Sequence, residues 1–123
     1  MLTQQKKVIF PLFLLSTFLF VWNFIAIKLY LYWTTDWVDA VSHFAGGAIV
    51  SLGIFLFIGK TLGQRRTFLL VLFTLFVGVL WEFFELGTAM VHFSDPGYLG
   101  DTLLDLVLDS AGAFMGARYI QKT

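Results

Sequence analysis

Acidic residues and one histidine recur at helical spacing inside segments that are otherwise apolar. Seven residues form the pattern and are the candidate ligand or metal-binding residues: Asp39, His43, Glu82, Glu85, Asp101, Asp105 and Asp109. Within each segment they are three or four residues apart, which puts them on one face of a helix. An ionised side chain in hydrocarbon costs about 2.5–3.5 kcal/mol even on the lenient insertion scale. We therefore expect their placement to serve a function.

The chemistry of this set is that of a cation site or of a shared proton. Carboxylates that meet in a low-dielectric space repel one another unless they are protonated or bind a cation. Carboxylates with one imidazole form a hard ligand set that suits Mg²⁺, Mn²⁺ or Ca²⁺ and, less characteristically, Zn²⁺. The predicted cofactor is therefore one of these divalent cations. The alternative is a metal-free pocket in which a pair such as Glu82 and Asp105 shares a proton.

The composition places this pattern in a membrane protein. The chain has 123 residues, of which 59% are hydrophobic and 13% are charged. Soluble domains are typically about 45–50% apolar and about 25% charged, so a water-soluble fold and intrinsic disorder are both excluded. The formal net charge of +0 argues against nucleic acid as a partner, and the absence of Cys excludes thiolate metal sites. The lipid bilayer is the expected partner, and the oligomeric state is left open.

Long apolar runs predict an all-α, polytopic membrane protein with a four-transmembrane-helix bundle. We expect one membrane domain over residues 1–123, with helices over about residues 8–33, 38–59, 67–93 and 101–120. The fourth segment has helical length, but Asp105, Asp109 and Arg118 interrupt it, so a hydropathy window alone would miss it. It is predicted to span the membrane because of how the charges are distributed.

Basic residues mark one side of the predicted membrane. Seven of the eight fall in three clusters, which flank the predicted helices: Lys6, Lys7, Lys60, Arg65, Arg66, Arg118 and Lys122. Four spans put all three clusters on the same side, and short loops rich in Lys and Arg stay cytoplasmic. We therefore predict that both termini are cytoplasmic and that the chain lies in the inner, cytoplasmic membrane. All the carboxylates then lie in the outer half or near the midplane.

Depth and facing angle predict where the polar residues meet. At about 1.5 Å per residue, His43, Glu82 and Asp105 reach similar depths on three different helices. We expect their side chains to surround one outward-facing pocket and to lie within about 10 Å of one another. Five glycines adjoin the polar faces and are predicted to let the helices pack closely: Gly46, Gly47, Gly78, Gly112 and Gly116.

Three runs of residues carry the whole pattern in order. They are Trp37-x-Asp39-x-x-x-His43-Phe44-x-Gly46-Gly47, then Gly78-x-x-Trp81-Glu82-x-x-Glu85, then Asp101-x-x-x-Asp105-x-x-x-Asp109-x-x-Gly112-x-x-x-Gly116. This order and spacing resemble the VanZ-like family of small bacterial membrane proteins. The resemblance implies an envelope-facing role and points to six site residues: Asp39, His43, Glu82, Asp101, Asp105 and Asp109.

Three classes of function fit these residues. The first is an outward-facing acidic and histidine pocket that binds a divalent cation and an envelope or lipid-linked anionic ligand, with hydrolase or transferase activity as its extension. The alternatives are proton- or ion-coupled translocation and a noncatalytic membrane protein for binding or assembly. No Ser-His-Asp motif, phosphate loop or nucleotide fingerprint occurs in the sequence, so catalytic residues are not assigned.

Overall fold

The computed structural model describes residues 2–88 and 90–123, and all regular structure in these ranges is helical. The five α-helices are α1 (Leu2–Lys28), α2 (Leu31–Thr34), α3 (Trp37–Ile58), α4 (Arg66–Gly87) and α5 (Tyr98–Lys122). Two 3-10 turns, Gly59–Thr61 and Gly63–Arg65, connect α3 to α4.

Three of the long helices are apolar enough to cross a membrane. Within the described residues, the candidate spans are Thr3–Lys28, Trp37–Thr61 and Gly63–Gly87. This confirms the prediction of a membrane protein with apolar helices. Helix α5 is not among these spans, because its aspartates and basic residues lower its hydropathy, as the sequence indicated.

Helix α3 lies at the centre and contacts α1, α4 and α5. Helix α5 runs antiparallel to α4 along its whole length. Near one end of α4, the Thr102 hydroxyl donates to Glu82, and near the other end the Gln121 side chain donates to Thr67. The charged helix α5 therefore extends along the bundle axis as far as the apolar helix α4.

The first turns of α1 and the last turns of α5 lie at the same end of the molecule. The Gln4 side chain donates to the Ile120 carbonyl oxygen at 2.8 Å, and the Tyr119 hydroxyl donates to the Lys7 carbonyl oxygen at 3.0 Å. Val8 and Ile120 belong to the buried apolar core cluster, which lies at this end. The basic residues that the sequence assigned to one side of the membrane thus do lie near one end of the fold.

The helix bounds differ from the predicted ones at four places. Helix α1 begins at Leu2 and not at about residue 8. Helix α1 ends at Lys28, because Tyr30 adopts a left-handed backbone with φ 58°, and the separate short helix α2 follows. Helix α4 ends at Gly87 and does not continue to residue 93. Helix α5 begins at Tyr98 and not at residue 101, since Gly97 with φ 73° occupies its N-cap position.

Candidate functional site

Two glycines bring α3 and α5 into backbone contact. A Cβ atom on Gly47 would lie 2.1 Å from the Asp109 carbonyl oxygen, and one on Gly112 would lie 2.0 Å from the Phe44 carbonyl oxygen. Neither distance is sterically possible, so any larger residue would push the helices apart. The close crossing places the polar face of α3 directly against the polar face of α5.

Gly116 extends this contact, Gly78 makes a similar close approach between α4 and α5, and Gly46 makes none. A Cβ on Gly78 would lie 2.5 Å from the Asp109 carboxylate, and one on Gly116 would lie 2.3 Å from the Ser51 hydroxyl oxygen. Gly46 differs from the prediction, because none of the described residues comes within 4 Å of its Cβ position. It follows that Gly46, which is rotated by about 100° from Gly47, faces away from the other helices.

The side chain of His43 lies at the centre of three aspartates. Its Nδ1 atom is 2.9 Å from Asp109 Oδ1. Its Nε2 atom is 3.5 Å from Asp39 Oδ1 and 3.4 Å from Asp105 Oδ2. The i, i+4 spacing on α3 supplies the contact with Asp39, whereas α5 supplies the other two carboxylates. We call these four residues the His43 cluster.

The tautomer of His43 decides what the cluster can do. When Nδ1–H donates to Asp109, a neutral ring directs the lone pair of Nε2 toward two carboxylates, which is repulsive. The repulsion is removed when a cation lies between the three groups, or when a proton occupies Nε2. A metal-ligating histidine commonly donates its other ring N–H to a carboxylate, which is the role that Asp109 occupies here.

The spacing of the three ligand atoms fits a small divalent cation. One atom each from Asp39, His43 and Asp105 lies within 4.8 Å of the other two. Ligands placed about 2.1 Å from a metal are about 3.4 Å apart at near-tetrahedral angles, and ligands at about 2.4 Å reach that separation near a right angle. The observed distances of 3.4 and 3.5 Å therefore suit either geometry without a large movement of the helices.

Of the four residues of the cluster, Asp39 is the most exposed. The side chain of His43 is 9% exposed, while that of Asp39 is 49% exposed. Asp105 and Asp109 are buried between α3 and α5. A ligand would therefore reach the cluster past Asp39, from the end of the fold opposite the basic residues.

Glu82 lies beside the cluster but outside the group of three ligand atoms. It is 6% exposed, and its Oε2 atom accepts a long hydrogen bond of 3.5 Å from Thr102. Its Oε1 atom is buried and has no hydrogen-bond partner among the described residues. Because a buried carboxylate oxygen without a partner is costly, this Oε1 atom is a candidate to bind a ligand.

The other two candidate site residues, Glu85 and Asp101, lie outside the three-ligand group. Glu85 is half-buried and accepts a hydrogen bond of 2.9 Å from the Trp81 indole. Asp101 is exposed in the first turn of α5, and the three-ligand group does not include it. Because α5 begins at Tyr98, Asp101 lies at the open end of the helix and not within the packed part.

A family model described as a predicted membrane protein (DUF2238) matches residues 1–122. The chain belongs to this family. Comparisons with curated proteins and with solved structures give no match. The DUF2238 description agrees with the apolar helices and assigns no ligand or reaction, so any function has to be argued from the cluster itself.

This DUF2238 protein contains a second polar network beside the His43 cluster. The Tyr32 hydroxyl donates to the Asn23 side chain and lies 2.6 Å from the Ser42 hydroxyl oxygen, which joins α1, α2 and α3. Burial raises the pKa of the Tyr32 phenol above its ordinary value of 10.0; the Ser42 hydrogen bond opposes this shift and the charge of Asp39 adds to it. Two signals were available in the sequence: Asn23 is a polar residue within an apolar segment, which favours a hydrogen bond between helices, and Ser42 directly precedes His43.

Proposed function

We propose that this DUF2238 protein holds a divalent cation between Asp39, His43 and Asp105 and presents it to an anionic ligand. The arrangement of His43 carries the proposal. Its Nδ1 is 2.9 Å from Asp109, which leaves Nε2 facing two carboxylate oxygens at 3.4 and 3.5 Å. A histidine that is oriented by one carboxylate and flanked by two others is a common design of protein metal sites.

The proposed topology is a single membrane domain with four spans and with both termini in the cytoplasm. Helix α5 has 25 residues, which is about 37 Å of helix and enough to cross the hydrocarbon. Its two interior aspartates, Asp105 and Asp109, are buried against the neighbouring helices, so they do not face lipid. The contact between Gln4 and Ile120 puts the two ends of the described chain on the basic side, which positive-inside topology makes cytoplasmic.

With this topology the cluster faces the outside of the inner membrane, at the depth of lipid head groups. The proposed ligand is an envelope or lipid-linked anion. It would bind through the cation, because the basic residue of the outer half, Lys28, lies 5.8 Å above the Phe24 ring and has no ion pair among the described residues. The cation is therefore the positive group that could attract an anion to these carboxylates.

The proposal also includes the resemblance to the VanZ-like family and a hydrolase or transferase activity. The VanZ-like pattern runs through Asp39, His43 and Asp105, the same residues that form the three-ligand group. A cation at this position would polarise a phosphoryl or carbonyl oxygen of the ligand. A protein that only binds the ligand would use the same residues without turnover.

Translocation has less support, because the polar side chains end just below the cluster. The Ser51 hydroxyl donates to the Ala48 carbonyl oxygen at 3.0 Å, and the Thr74 hydroxyl donates to the Leu70 carbonyl oxygen at 2.8 Å. Both hydroxyls are thus used within their own helices. The tight glycine contacts at Gly112 and Gly116 fill the space between α3 and α5 at this level.

A metal-dependent thermal shift tests the proposal. The full chain in detergent, stripped with a chelator, is titrated with Mg²⁺, Mn²⁺, Ca²⁺ or Zn²⁺. At about 100 times its dissociation constant, a bound ion should add about 2.7 kcal/mol to the free energy of unfolding. His43→Ala should lose this gain, and His92→Ala, at the exposed second histidine, should keep it. A melting temperature that no metal changes would refute the cation site.

A further inference from the structure

The unpartnered oxygen of Glu82 points to a ligand that the first cation does not account for. The carboxylate is buried, and its Oε1 atom accepts no hydrogen bond from the described residues. Glu82 also lies outside the three-ligand group formed with His43. A cation between Asp39, His43 and Asp105 therefore leaves this oxygen unsatisfied.

Two other oxygen-bearing side chains surround Glu82. Glu85 lies one helical turn along α4 from Glu82, on the same side of the helix, and is half-buried. The Thr102 hydroxyl on α5 lies 3.5 Å from Glu82 Oε2. Two carboxylates and a hydroxyl are hard oxygen donors of the kind that Mg²⁺, Mn²⁺ and Ca²⁺ prefer.

The balance of charge also favours a second cation. Five carboxylates belong to the His43 cluster or to the adjoining helix α4, and each is negative when ionised: Asp39, Glu82, Glu85, Asp105 and Asp109. One divalent cation beside a neutral His43 leaves three of these negative charges uncompensated. A second divalent cation would leave a single negative charge, which weakens the repulsion that an anionic ligand meets on its way to the first cation.

We propose that Glu82 and Glu85, with the Thr102 hydroxyl, form a second divalent-cation subsite beside the first. The ligand class of the paired subsites is an oxyanion, such as a phosphate group, that binds to both cations at once. Paired metal ions hold oxyanions in this way because each ion neutralises part of the charge. This inference rests on the proposed function, which supplies the first cation.

Counting Mn²⁺ per chain tests the second subsite. The full chain in detergent is stripped with a chelator, equilibrated with Mn²⁺, desalted and measured by elemental analysis and electron paramagnetic resonance. We expect two Mn²⁺ per chain and a spectrum broadened by coupling between neighbouring ions. Glu82→Gln should retain one Mn²⁺ with the resolved lines of an isolated ion. Asp95→Asn, which changes an exposed loop carboxylate, should retain both.

The outcomes separate this inference from the proposed function. One Mn²⁺ in the unmodified chain that survives Glu82→Gln and is lost in His43→Ala overturns the second subsite and leaves the first standing. Loss of all Mn²⁺ in Glu82→Gln, with the helical circular dichroism unchanged, also overturns it, because Glu82 would then belong to a single shared site. Absence of bound Mn²⁺ from the unmodified chain refutes the proposed function itself.

Discussion

Replacing Asp109 by Asn tests whether this residue orients His43 for cation binding. Asp109 Oδ1 lies 2.9 Å from His43 Nδ1, and Asp109 is not one of the three ligands proposed from the structure. An asparagine has nearly the same volume, but it offers a neutral acceptor or a competing N–H donor. We expect Asp109→Asn to lower the affinity for the cation without removing any of its ligands.

The expected loss of metal affinity follows from the known effect of removing a carboxylate that orients a metal-bound histidine. Their loss typically lowers metal affinity by about 10-fold to 100-fold. With the metal held at about 100 times the dissociation constant of the unmodified chain, the stabilisation of about 2.7 kcal/mol should fall to about 1.4 kcal/mol for a tenfold loss. For a hundredfold loss it should fall to about 0.4 kcal/mol.

The assay compares melting temperatures of each variant with and without metal, so a change in the metal-free stability cancels. Asp36→Asn, at an exposed residue before α3, is the matched control and should keep the full gain. If Asp109→Asn keeps the full gain while His43→Ala loses it, Asp109 does not orient the ring. If both variants keep the gain, the cation binds elsewhere.

Three further predictions follow from the cluster and the fold. Asp105→Asn should abolish the metal-dependent gain in melting temperature. The metal-free protein should stay as stable or become more stable, because a repulsive buried charge is removed. A metal-free variant that melts at a lower temperature than the unmodified chain would contradict this. Gly47→Ala should lower the free energy of unfolding by about 1–3 kcal/mol, because its Cβ collides with the backbone of α5, whereas Gly46→Ala should be tolerated. Equal denaturation curves for the two alanine variants would refute the backbone contact. Reporters fused to the two ends of the chain should both be cytoplasmic, and opposite locations would refute the four-span topology.

Much of the cluster could be predicted from helical periodicity. Asp39 and His43 share a face because they are four residues apart, and the same spacing puts Asp105 and Asp109 on the buried face of α5. The positions of Gly47 and Gly112 beside these residues indicated a close helix crossing. Periodicity was sufficient here because the polar residues are few and their helices long.

Other features depend on geometry that spacing does not determine. The sequence could not distinguish Gly46 from Gly47, because adjacent residues differ by about 100° and the direction of the neighbouring helix decides which one packs. The separation of α1 from α2 depends on the left-handed backbone of Tyr30, which is rare for a residue with a side chain. The same turn brings Tyr32 to Ser42, so the hydrogen bond between these two residues could not be predicted from spacing either.

Electron spin echo measurements of bound Mn²⁺ test the central claim most directly, because they detect nitrogen nuclei that are bonded to the metal. The full chain in detergent, loaded with Mn²⁺, should show the modulation of one directly coordinated imidazole nitrogen, since His43 Nε2 lies 3.4 and 3.5 Å from the carboxylate oxygens of Asp105 and Asp39. The modulation should vanish in His43→Ala and persist in His92→Ala. Bound Mn²⁺ without any nitrogen modulation, or with modulation that survives His43→Ala, would contradict a cation held by the His43 cluster.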